Sequence, residues 1–107
     1  MPYIIVHGWY PTHLVKEVTD TYMKVLKQMP FDKSLGKETI QVAVSSGKSG
    51  IRFMSVMEAK EGKLEEALRW VGKRMTPFQN IKGLEYKIRI WSTIIEGLET
   101  IGMSLPG

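Results

Sequence analysis

Between Pro11 and Pro30 runs a helix-period apolar stripe that constrains the fold more than any other feature of the chain. Leu14, Val15, Val18, Tyr22, Val25, Leu26 and Met29 fall within one arc at about 100° per residue. His13, Glu17, Asp20 and Lys24 fall opposite and face water. Such a helix must bury its stripe against another element, and 107 residues leave room for only one core. Thr12 is the expected N-cap, and Pro30 ends the pattern.

The flanking segments supply the partner. Tyr3–Tyr10 is short, β-branched and aromatic, and reads as a strand stopped by Pro11. Thr39–Ser45 and Ile51–Glu58 read as two more strands, joined by the small residues of Ser46–Gly50 as a hairpin requires. A second helix carries the stripe Leu64, Ala67, Leu68, Val71 and Met75. Thr76-Pro77 should stop it, because proline disfavours helical geometry in the preceding residue. Leu84–Ser92 alternates cleanly, with Tyr86, Ile88 and Ile90 on one side and Glu85, Lys87, Arg89 and Trp91 on the other. The order β-α-β-β-α-β predicts an α+β, ferredoxin-like chain: a four-stranded antiparallel sheet, both helices on one face, first and third strands central. Residues 1–92 form this domain. Residues 93–107 are a tail too apolar to float, expected on a sheet edge or a neighbouring subunit.

Composition narrows the class of protein. With 43% apolar and 24% charged residues the chain is globular and not disordered. No run approaches the roughly 20 apolar residues that span a bilayer, so no membrane partner is expected. Met1–His7 lacks the basic leader of a signal peptide. Cysteine is absent, which excludes disulfides and thiolate metal sites and suits a reducing, cytoplasmic setting. The net charge of +4 comes mostly from scattered lysines.

Three apparent motifs fail on inspection. Gly47-Lys48-Ser49 imitates the end of a phosphate-binding loop, but Val42 occupies the required earlier glycine position and the segment joins two strands. His13 and Glu17 are four apart on a solvated helix face and lack a third ligand, so no metal is expected. The third strand lacks the flanking aromatics of an RNA-binding sheet, so nucleic acid is not expected either.

The informative region is the sheet face turned away from the helices. Without a bulge, strand parity gathers there Ile5, His7, Trp9, Gln41, Ala43, Ser45, Arg52, Met54, Val56, Lys87, Arg89 and Trp91. Two tryptophans and several aliphatic groups do not suit a fully solvated face. In element order this chain resembles the dimeric α/β-barrel superfamily, over most of residues 3–92. The resemblance implies a homodimer, or a higher even oligomer, formed by pairing sheet faces. It also implies a cavity inside that barrel or between helices and sheet. Members include cofactor-free monooxygenases, polyketide cyclases, isomerases and haem-degrading enzymes. Haem does not fit, since Trp70 on the second helix is followed by no histidine ligand.

The expectation is therefore a protein that binds a small apolar or anionic molecule without a cofactor. If it is an enzyme, oxygenation, cyclisation or isomerisation fits best. A non-catalytic oligomeric binding or structural module is the alternative, and a nucleic-acid-binding ferredoxin-like domain ranks below it. His7 is the candidate for moving a proton. Trp9, Arg52, Arg89, Trp91 and Tyr86 are the candidate ligand-binding residues, the arginines holding an anion and the aromatics excluding water. Trp70, at the edge of its helix stripe, is expected to serve an oligomer contact or cover the tail.

Overall fold

The computed structural model describes residues 1–106. Strand β1 is Tyr3–Tyr10, helix α1 Val15–Gln28, β2 Gly36–Gly47, β3 Gly50–Ala59, α2 Leu64–Met75, β4 Glu85–Trp91 and α3 Ile94–Glu99. The four strands form one sheet in the order β2-β3-β1-β4, with every neighbouring pair antiparallel. The chain is thus α+β, and its topology is compatible with a ferredoxin-like arrangement with β1 and β3 central. No helix among the described residues is long and apolar enough to cross a membrane.

Alternation along β1 decides which face receives the helices. Ile4, Val6 and Tyr10 are buried. Ile4 and Val6 pack with Met57 and Ala59 of β3, with Leu35, and with Ala67 and Val71 of α2. Tyr10 packs with Val18 and Val25 of α1 and with Phe78 and Ile81 beyond α2. Both helices therefore lie on the same face, and the core has two lobes. Phe53 touches both lobes and sits 6.0 Å from the Tyr10 ring.

Gly8 makes room for that ring. A Cβ at Gly8 would lie 2.5 Å from the Phe53 ring and would overlap the Glu85 carbonyl oxygen. Gly8→Ala should therefore cost about 1–3 kcal/mol through overpacking. A thermal melt should show this as a loss of roughly 5–15 °C; an unchanged midpoint would contradict the close approach.

Local sequence explains where the elements differ from expectation. Thr12 does not cap α1: Thr12–Leu14 is a 3₁₀ turn, preceded by Pro11 and without a side-chain cap. Thr76 keeps helical geometry before Pro77, because its hydroxyl donates to the Gly72 carbonyl at 3.1 Å and the chain tightens into a 3₁₀ turn over Thr76–Asn80. Strand β2 is longer than its alternation suggests, and its register against β3 slips twice, between Glu38 and Ile40 and again before Ala43.

Part of the tail is helical. Thr93 caps α3 in a reciprocal box: its hydroxyl accepts from the Glu96 amide at 3.1 Å, and the Glu96 carboxylate accepts from the Thr93 amide at 2.8 Å. Glu96 also accepts from the Met1 ammonium at 2.7 Å. That contact and the Thr93 bonds hold the Glu96 carboxyl below its ordinary range, while Glu96 holds the ammonium above its own. Ile94, Ile95, Ile101, Met103 and Leu105 nonetheless stay exposed.

Candidate functional site

The two helices do not seal the sheet face they share. Between them lies a cavity of about 180 Å³. Its floor is sheet, with Ile4, Val6 and Tyr10 from β1 and Phe53, Ser55 and Met57 from β3. Helix α1 contributes Val18, Thr19, Tyr22 and Val25; α2 contributes Trp70, Val71, Arg74 and Met75. Phe31 and Phe78 close two further sides, and β2 supplies Glu38, Gln41, Val42 and Val44. Tyr10, Tyr22, Phe31, Phe53, Trp70 and Phe78 make the wall strongly aromatic. Engineered apolar cavities of about 150 Å³ hold a benzene ring, which sets the scale of a molecule that fits.

A few polar groups interrupt this wall. Trp70 meets Phe31 edge to face at 5.4 Å, and the Arg74 guanidinium lies 4.9 Å over the Trp70 ring. Arg74 Nε is the one side-chain nitrogen or oxygen among the described residues that is fully buried without a hydrogen-bond partner. Burial pushes the Tyr10 phenol above its ordinary value, which keeps it protonated and able to donate. Glu38 brings a carboxylate. An apolar enclosure with a few such groups has the general build of a small-molecule site.

The residues singled out from sequence lie elsewhere. His7, Trp9, Arg52, Arg89 and Trp91 all occupy the opposite sheet face, as their parity requires. Trp9 and Arg52 are cross-strand partners. They share a cleft of about 250 Å³ with the β2–β3 turn, Ser45–Gly50. Although larger, this cleft has serine, glycine and lysine walls, and most of its residues are exposed, so it does not enclose an apolar ligand. Trp91 pairs with Tyr3, six residues along β1 from Trp9, or roughly 20 Å away. The single chain therefore brings Trp9 to Arg52 but not to Trp91.

Two placements, those of His7 and Trp70, correct the expectations directly, while Tyr86 keeps the side that its alternation with Ile88 requires. His7 is exposed, in register between Met54 and Lys87, so the apolar setting expected for it is absent in the single chain. Tyr86 lies on the helix-side face, packed against the core, and its hydroxyl accepts from Gln79 at 2.7 Å. Trp70 is half-buried in the cavity wall and does not point outward.

Arg74 was missed from sequence. Its signal was present: Trp70 and Arg74 are four apart, the spacing that stacks side chains on one helix face. In comparisons with protein-family models, curated proteins and solved structures, the chain matches none.

Proposed function

We propose that this chain is a small-molecule-binding protein that works as a homodimer, built on the plan of the dimeric α/β-barrel superfamily, with its ligand in the cavity between α1, α2 and the sheet. The aromatic, largely apolar cavity carries this reading. It provides the apolar burial that gives a small ligand most of its affinity, and only a few polar groups to orient it. If the site turns over its ligand, the Glu38 carboxylate is the wall group suited to accept a proton, while the Tyr10 hydroxyl, held protonated by burial, orients the ligand as a hydrogen-bond donor. The reactions that suit such a site are cofactor-independent oxygenation, cyclisation or isomerisation.

Surface area supports assembly. A compact monomer of 12.2 kDa exposes roughly 6,100 Å²; this chain exposes 7562 Å². Its radius of gyration is 15.6 Å, against roughly 13 Å for a compact chain of this length. The excess of roughly 1,500 Å² is large enough to supply the roughly 800 Å² that each partner contributes to a standard interface. Much of the exposed apolar surface lies at Met54, Trp91, Ile94, Ile95 and the residues after α3. A second copy covering the face opposite the helices, together with the tail, would bury it.

The test is the mass of the native particle and of anything it carries. Native mass spectrometry should return twice 12.2 kDa, and extraction should release a small apolar or anionic compound. His7→Gln then separates the two faces. Because His7 lies outside the cavity, its replacement should leave ligand affinity within about twofold; loss of binding would move the site to the opposite face.

A further inference from the structure

The cleft at the β2–β3 turn has the opposite character to the cavity, and its reading does not depend on the cavity. The turn itself is Lys48-Ser49, closed by the paired Gly47 and Gly50. Gly50 takes a φ of 127° and brings the chain back over Trp9: a Cβ there would lie 3.0 Å from the indole nitrogen. Every polar side chain lining the cleft carries a donor. These are the Trp9 indole N–H, the Lys48 ammonium, the Arg52 guanidinium and the hydroxyls of Ser45, Ser46 and Ser49. Trp9 is half-buried, and its N–H is neither sealed from solvent nor bonded to a described residue. Lys48 and Arg52 form no ion pair with a described residue. No carboxylate lines the space. Glu85 stands level with Trp9 on β4, but two strand spacings from Arg52, or roughly 10 Å.

We infer that this cleft binds a phosphate group, held between Lys48 and Arg52 with the Trp9 indole and the turn serines as further donors. Charge sets the class. Two cations match the roughly −1.5 to −2 of a phosphate at neutral pH, whereas a carboxylate would leave one of them uncompensated. Shape agrees. The planar fork of Arg52 can take two oxygens at once, and Lys48 adds a point charge for the third. The cleft of about 250 Å³ has room for the group, and its open side lets an ester arm leave. The site rests on a strand pair and not on a loop entering a helix, so the Gly47-Lys48-Ser49 resemblance plays no part in it.

Inorganic phosphate is the probe, with sodium chloride at equal ionic strength as the control. In nuclear magnetic resonance titrations of the full chain, phosphate should move the Trp9 indole resonance and the amides of residues 46–50. The shifts should saturate on the order of 1 mM, as about two charge-assisted bonds allow. Trp9→Phe identifies that resonance among the three tryptophans. Lys48→Met and Arg52→Met should each weaken phosphate about tenfold or more, through loss of a charge-assisted bond. Lys60→Met removes the same charge just past the far end of β3, roughly 25 Å away, and should leave the affinity within about twofold. Light scattering checks that Arg52→Met keeps the mass of the unaltered chain; Lys48, on the turn, serves if it does not. Methyl phosphate separates the sources: an affinity within about threefold of inorganic phosphate assigns a monoester, and its loss assigns the free ion. Shifts that chloride reproduces, or a loss in Lys48→Met and Arg52→Met no greater than in Lys60→Met, would overturn the site. Toluene reads the cavity separately, so either result leaves the cavity reading standing.

Discussion

Met54→Asp is expected to convert the proposed dimer into a folded monomer. Met54 lies on the sheet face away from the helices, opposite His7 and Ala43, and is 36% exposed in the single chain. A charge there keeps its water in the monomer and loses it in the dimer. Desolvating an unpaired carboxylate costs several kcal/mol, enough to shift a micromolar equilibrium by two orders of magnitude or more. Light scattering should fall from twice 12.2 kDa to 12.2 kDa, with circular dichroism unchanged. A monomeric unaltered chain, or a Met54→Asp variant that stays dimeric, would rule out assembly through this face. Val56, on the same face, is the weaker place for such a charge. It is only 8% exposed within one chain, so aspartate there would damage the monomer as well.

Phe53→Ala is expected to have the largest effect on stability. Phe53 joins the two lobes of the core and forms part of the cavity floor. Removing it takes away ring burial and merges existing space with new space. Phe→Ala changes of this kind cost about 3–5 kcal/mol. With each kcal/mol shifting the midpoint by about 4–8 °C, a loss of at least about 12 °C should appear in a thermal melt. A loss below about 1 kcal/mol would mean that the lobes hold together without it.

The elements themselves could be read from the chain, because alternation and helix period act locally. Tyr3–Tyr10 has the bounds its β-branched run implies, and α2 spans the first to the last residue of its stripe. Parity assigns the correct face wherever strands pair without interruption. Thus Ile4 and Val6 face the helices, while His7, Trp9, Arg52 and Arg89 face away. Strand β2 shows the limit of that logic. The two register slips run in the same direction and add to two residues by Ala43, so Val44 and Ser45 keep their expected parity, but Gln41, between the slips, joins the cavity wall. No single-strand pattern encodes such a pair of slips.

The candidate site was the least legible part. A cavity exists because α1 and α2 stand apart over β1 and β3, and that spacing is a property of four elements together. Arg74 reads as an ordinary last-turn cation, suited to the helix dipole, until Trp70 is seen to turn inward beneath it. The sequence instead favoured the opposite face, where tryptophan, histidine and arginine cluster by parity. On the single chain that cluster is an open surface. A second copy is what would enclose it.

Which face takes the ligand can be decided by titrating toluene into methyl-labelled protein and following the aliphatic resonances. A ligand in the cavity should move Val18, Val25, Val71, Met57 and Met75, with saturation at one site per chain. Shifts confined to Ile5 and Met54, or no saturable shift at all, would contradict the placement of the site between the helices and the sheet.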